Sequence, residues 1–228
     1  MDYDSKTTFG SLSSAPDGSI VEHIFTYVAG ELKSFEGKSN ENENVLTDRL
    51  CKQLSANQPS ETPYFFHHQN LEKSQENTST DFAVFQRKGG HYQDNELPKF
   101  EAKRLTTNFP SKRKKEYVIG EYNGDKRITN AGAIERFKNG RHGADVDIAG
   151  IIGYVQADTF SNWHKNINEW IDQEIQSSHD PSLTWSITDK LISEYIDDQV
   201  AVFRSESSRK SGTDIRFRHL WVDVSTSV

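Results

Sequence analysis

The sequence predicts an α/β protein in which a mixed central sheet is flanked by helices, and three observations carry that expectation. Apolar residues recur at helical spacing in two stretches near the start. Residues 80–85 and 99–105 alternate apolar with polar or charged side chains, as half-buried strands do. Residues 146–155 form the most apolar run of the chain, fit for a central strand buried on both faces.

In order along the chain, residues 1–18 are rich in Ser, Thr, Asp and Gly and read as a loose start. Ile20, Ile24, Tyr27, Val28 and Leu32 mark a first helix over 19–32, with Ser19 as its N-cap. After the polar break 38–42, a second helix runs to about residue 55, with Glu43, Leu46, Leu50 and Leu54 on one stripe. Tyr64, Phe65 and Phe66 read as a short strand. The adjoining His67 and His68 point to opposite faces of a strand, which makes them a poor chelate. The strand-like runs 80–85 and 99–105 form a hairpin across the polar linker 88–94. Residues 117–122 read as a further strand before the turn Asn123-Gly124-Asp125-Lys126, and nothing in the sequence fixes whether Glu121 on it turns toward the metal region or away. A short helix over 130–139 turns Ile134 and Phe137 inward and Arg136 and Lys138 to solvent, and Gly140 stops it.

Gly150 and Gly153 in the apolar run allow close approach of neighbouring elements. Phe160, Trp163, Ile167, Trp170, Ile171 and Ile175 then mark an amphipathic helix whose aromatic stripe reads as core packing. Residues 191–195 fit helix or strand, and 200–204 and 215–222 form a closing hairpin that extends the sheet or packs beside it.

A chain of 228 residues with 33% hydrophobic and 27% charged residues fits one domain with a real core. The single cysteine, Cys51, excludes an intramolecular disulfide and a Cys-type zinc site, and fits a reducing compartment. No apolar run reaches the ~18 residues of a membrane span, and the start lacks a basic segment followed by an apolar stretch. The expectation is a soluble, cytoplasmic protein. The net charge of −7 is uneven, for residues 99–141 carry twelve Lys or Arg against five Asp or Glu, a local balance of +7. That positive strip begins at the hairpin and suits a polyanion, or else balances nearby acidic surface.

The chemistry concentrates on the hairpin. Residues two apart in a strand share a face, so Glu101 and Lys103 point one way and Phe100 and Ala102 the other, with Asp81 brought alongside by pairing. Two carboxylates and an ammonium so placed make a compact site for Mg²⁺ and a phosphate. Asp81 followed by Glu101-Ala102-Lys103 resembles the signature of the PD-(D/E)XK nuclease superfamily, with Thr80 standing where the motif has Pro.

The resemblance implies a restriction-endonuclease-like αβββαβ core over residues 41–156, followed by a C-terminal helix and β-hairpin over 157–228. It implies a Mg²⁺-dependent endonuclease, with Mn²⁺ able to substitute, that hydrolyses phosphodiester bonds in DNA in a restriction or defence setting. Asp81 and Glu101 would bind metal, and Lys103 would orient water and stabilise charge on the phosphate. Glu43 would serve a second metal or a metal-bound water; from the residues alone it equally reads as a carboxylate at a helix N-terminus.

Contacts to nucleic acid are expected from Arg104, Lys112, Arg113, Lys114, Lys115, Arg136, Lys138 and Arg141. The run Lys112–Lys115 reads either as a phosphate-contacting loop or as a nuclear localisation signal. Cleavage of both strands implies a homodimer or sequential nicking by a monomer, and a defence setting implies a partner protein. The alternatives are a non-catalytic nucleic-acid-binding or assembly subunit that keeps the fold, and an unrelated α/β interaction protein. No Gly-x-x-x-x-Gly-Lys-Ser/Thr, Gly-x-Gly-x-x-Gly or Gly-x-Ser-x-Gly motif is present, so cofactor enzymes and serine hydrolases lose support.

Overall fold

The structure, a computed structural model, describes residues 17–73, 78–88, 91–124, 126–129 and 132–225. Two helices open it, α1 (Asp17–Leu32) and α2 (Glu43–Asn57). The first starts two residues before Ser19, so Ser19 is not its N-cap; the rest of the expected loose start lies outside the described residues. The second begins as the polar break predicts, with the Asn42 side chain accepting from the Val45 N–H at 3.0 Å.

Three strands follow, β1 (Tyr64–Lys73), β2 (Thr78–Lys88) and β3 (His91–Leu105). They form an antiparallel meander in which Phe82 pairs with Phe100. Both strands of the expected hairpin are longer than their apolar runs. Pairing reaches Lys88 opposite His91, so most of the polar linker is strand, because the ladder needs only main-chain groups. A short helix α3 (Ala133–Lys138) then leads to β6 (Ile148–Val155), with two two-residue strands, β4 (Tyr122–Asn123) and β5 (Lys126–Arg127), between β3 and α3. The order helix, three strands, helix, strand therefore runs through residues 43–155.

Beyond β6 come α4 (Phe160–Gln176), β7 (Ile192–Ile196), β8 (Val200–Ser207) and β9 (Ile215–Asp223). They complete a seven-stranded mixed sheet in the order β1-β2-β3-β6-β9-β8-β7, with β6 parallel to both β3 and β9. The ambiguous 191–195 is thus an edge strand, and the closing hairpin does extend the sheet.

The sheet separates two apolar clusters. Ile24, Val28, Leu46, Leu50 and Leu54 of α1 and α2 meet Phe82, Phe100, Ala102 and Ile152 on one face. Ile134, Phe137, Trp163, Ile167 and Ile171 of α3 and α4 meet Ile151, Phe203 and Phe217 on the other. The two glycines of β6 serve rings rather than backbone: a Cβ at Gly150 would lie 2.1 Å from the Phe100 ring, and one at Gly153 would lie 2.4 Å from Trp221. Among the described residues no helix is long and apolar enough to cross a membrane.

Residues 117–121 depart from expectation, since they form turns and loop rather than a strand. The main-chain carbonyls of Glu116, Tyr117 and Val118 accept from the N–H groups of Ala133, Ile134 and Glu135 at 3.0, 3.3 and 3.0 Å. Those N–H groups are the first of α3 and have no partner inside the helix, so this segment caps α3 instead of joining the sheet. Gly132 makes the contact feasible, for a Cβ there would lie 2.4 Å from the Ile119 backbone.

Candidate functional site

Asp81 lies one residue beyond the main-chain pair Phe82–Phe100, and its Oδ2 accepts from the Ala102 N–H at 2.6 Å. Phe100 and Ala102 bury themselves against α1 and α2, which turns Glu101 and Lys103 to the opposite side of β3. Lys103 Nζ donates to Glu101 Oε1 at 2.9 Å, to Glu43 Oε1 at 3.2 Å and to the Ala102 carbonyl at 2.6 Å. Glu43 reaches it from the first residue of α2. Asp81, Glu101, Lys103 and Glu43 thus line one cleft of about 370 Å³.

Two residues that sequence reasoning passed over complete this cluster. His142 is buried, and its Nδ1 lies 2.9 Å from Glu101 Oε2. It follows α3 in a glycine-flanked loop, where Gly143 takes φ +55°; a lone histidine between two glycines gave no spacing signal. Glu116 ends the run of basic residues and lines the cleft, receiving Arg113 Nε at 2.8 Å and Nη2 at 3.1 Å.

The expected set of nucleic-acid contacts divides. Arg136 is not a free solvent-facing cation: it donates to Glu101 Oε1 and lines the cleft, as does Arg141. Lys138 is a clear correction, since it is fully buried and pairs with the equally buried Asp189 at 2.5 Å. Arg104 lies with its guanidinium 4.9 Å from the centre of the Phe109 ring, and Arg113 covers the same ring at 4.7 Å. Lys112 pairs with Glu121 at 3.1 Å, away from the cleft that holds Asp81, so Glu121 does not approach the hairpin carboxylates. Lys115 donates to Gln173 at 2.7 Å, and Lys114 is exposed.

Burial dominates the electrostatics. It raises Asp81 to about 8, with the neighbouring Glu101 adding to the effect, and it raises Glu43 despite Lys103. Burial also pushes Glu101 upward, yet Lys103, His142 and Arg136 outweigh it and hold that carboxyl well below its usual range. For Lys103, burial acts against the charged form, but Glu101, Glu43 and Asp81 overcome it and keep the ammonium protonated. One carboxylate is thus firmly ionised, while burial first and neighbouring carboxylates second favour the neutral forms of Asp81 and Glu43, against the pull of Lys103.

Among the described residues no group of three or more His, Cys, Asp or Glu is arranged to hold a metal ion. The donor set still fits a hard cation. A carboxylate offers about four lone-pair positions. Glu101 uses three, for Lys103, Arg136 and His142, and Asp81 uses one, for the Ala102 N–H. Mg²⁺ needs only one or two protein carboxylates and keeps much of its water. A cation beside Asp81 would also favour the charged form that burial opposes. Comparison with protein-family models, curated proteins and solved structures finds no match to this chain.

Proposed function

We propose that this chain is a divalent-metal-dependent endonuclease of the PD-(D/E)XK type, with a restriction-endonuclease-like core, that hydrolyses phosphodiester bonds in DNA. The observation that carries the reading is the convergence of Asp81, Glu101 and Lys103 from adjacent strands with Glu43 from α2 in one polar cleft. The element order through residues 43–155 agrees with an αβββαβ core.

Asp81 and Glu101 would hold Mg²⁺, or Mn²⁺ in its place; when bound, the ion lowers the pKa of its water and offsets charge developing on phosphate oxygens. The remaining work belongs to the side chains. Lys103 stays protonated, so it is a donor that orients water and stabilises the phosphate rather than a base. Glu43 fixes the Lys103 ammonium from the helix end, and Arg136 and His142 fix Glu101.

A non-catalytic nucleic-acid-binding subunit is the second reading. The observation in its favour is that Glu101 already carries three cationic or imidazole partners. Incubation with supercoiled plasmid, linear single-stranded DNA and RNA, in Mg²⁺, Mn²⁺ or EDTA, separates the two. The nuclease reading expects metal-dependent cleavage that falls by about 100-fold or more in Lys103→Ala and in Asp81→Ala. Binding without cleavage, equal in both variants, favours the subunit, and loss of binding and cleavage by the wild-type chain sinks both.

A further inference from the structure

A second cleft, of about 580 Å³, shares a wall with the first, and the same short segment lines both. Arg113 and Glu116 face the candidate site, whereas Lys112, Lys114 and Lys115 line the second cleft together with Tyr122, Trp170 and His179. Its size lies in the range of small-ligand pockets, ~300–1,000 Å³.

Three features set it apart from an ordinary solvated groove. The Lys114 side chain makes no hydrogen bond or ion pair among the described residues, and the Lys112 ammonium meets only Glu121 among them, in a pair whose lysine is 72% exposed. Such a pair leaves most of the positive charge unspent. Trp170 breaks the buried stripe of α4: Phe160, Trp163, Ile167 and Ile171 are buried, while Trp170 packs edge-on to Trp163 at 6.3 Å and keeps part of its indole on the cleft. Lys115 ties the basic segment to α4 by its bond to Gln173, three residues from Trp170 and hence on the same side of the helix. The lysines and the indole are thus held beside one another. Across from them the Tyr122 and His179 rings lie 5.2 Å apart, and His179 is held by Glu174 at 2.7 Å.

Cations beside an accessible aromatic ring match the two parts of a nucleotide, a phosphate and a flat base. We infer that the second cleft binds one nucleotide unit, with its phosphate on Lys112 and Lys114 and its base against Trp170. The favoured source is a strand that continues from the candidate active site, and in that part the inference rests on the nuclease reading. A free mononucleotide offers the same chemistry, and the test separates the two sources.

The measurement is binding in EDTA, so that cleavage does not intervene. The probes are labelled 12-nucleotide single-stranded DNA and RNA, followed by fluorescence anisotropy, and AMP and dTMP, followed by calorimetry. The chains are wild type, the double variant Lys112→Ala with Lys114→Ala, Trp170→Leu and Glu121→Gln. The two lysines are exposed, so their variant stays folded even where Trp170→Leu does not. The strand source expects oligonucleotide affinity about tenfold lower in the double variant, with a salt slope smaller by about 0.7 for the one phosphate released. Trp170→Leu lowers affinity about five- to one-hundredfold, and Glu121→Gln raises it about two- to fivefold by freeing Lys112. Mononucleotide binding with the same dependence, and oligonucleotide binding without it, assigns the cleft to a free nucleotide and supports the inference whatever the plasmid assay gives. Oligonucleotide affinity equal in all four chains, without mononucleotide binding, overturns the inference and leaves the nuclease reading to the cleavage assay. Absence of binding by either class of probe overturns it as well.

Discussion

Glu101 is the most heavily engaged side chain of the candidate site, with Lys103 and Arg136 on one oxygen and His142 on the other. Replacing it would leave two cations without their buried anion, so its loss would confound stability with chemistry. His142→Ala is the cleaner probe, because it removes one orienting partner and leaves both charges paired. On the proposed nuclease reading, cleavage should fall by about 10–100-fold at low Mg²⁺ and recover in part as Mg²⁺ is raised. A rate equal to wild type at every Mg²⁺ concentration would show that His142 only fills space. Lys138 makes the contrasting case. It and Asp189 are fully buried, Ser207 also donates to Asp189, and the Lys138 ammonium lies 4.6 Å from the centre of the Trp185 ring. Lys138→Met leaves Asp189 as an unpaired buried charge and should cost about 3–5 kcal/mol in urea unfolding. A loss under about 1 kcal/mol would contradict the pairing.

At the scale of elements, β6 places the site by letting rings from its neighbours cross it. Phe100 lies over Gly150 and stacks on Phe82, with centroids 4.4 Å apart and planes 8° from parallel, and the next residue in the chain is Glu101. Gly150→Ala puts a methyl into that ring, which should cost about 1–3 kcal/mol. On the proposed nuclease reading it should also lower cleavage by displacing β3 locally; unchanged stability would mean that the sheet absorbs the methyl without moving Phe100. The strands and helices around this point were legible because their apolar residues repeat with period two or near 3.6. Glu101 and Lys103 were legible for the same reason, since alternation assigns them a common side, and Asp81 joins them through the pairing of β2 with β3. The segment 117–119 was not. Tyr117, Val118 and Ile119 are buried, and burial looks the same in a sequence whether carbonyls pair in a sheet or cap α3. Lys138 and His142 were misread or missed because their partners, Asp189 and Glu101, lie 51 and 41 residues away. No local pattern encodes such a pairing.

At the scale of the whole molecule, a buried polar chain ties the sheet to the segment that walls the site. Trp221 Nε1 donates to Tyr117 Oη at 2.8 Å, Tyr117 Oη lies 2.9 Å from His219 Nδ1, and His219 Nε2 lies 2.9 Å from Ser205 Oγ. Trp221, His219 and Ser205 belong to β9 and β8, whereas Tyr117 belongs to the loop that caps α3. These groups are all satisfied together only while His219 is neutral, because a proton on Nδ1 would leave the Tyr117 hydroxyl without an acceptor in this chain of bonds.

Burial, and then the electrostatic influence of the neighbouring His164, push His219 from 6.5 down to about 3. Between those values the unfolded chain binds a proton that the folded chain refuses. Stability is therefore complete above about pH 6.5 and declines as pH falls toward 3. Asp81 acts in the opposite sense, because its raised pKa means the folded form holds a proton from about pH 4 to 8 that the unfolded form releases. A comparison with a variant cancels that contribution. His219→Gln keeps one acceptor and one donor but cannot titrate. From pH 7 to 4.5, wild type should lose about 2–3 kcal/mol more than this variant in urea unfolding, whatever the variant costs at pH 7. Parallel pH profiles for the two chains would mean that His219 admits its proton in the fold, and that the link from sheet to site survives as a charged network.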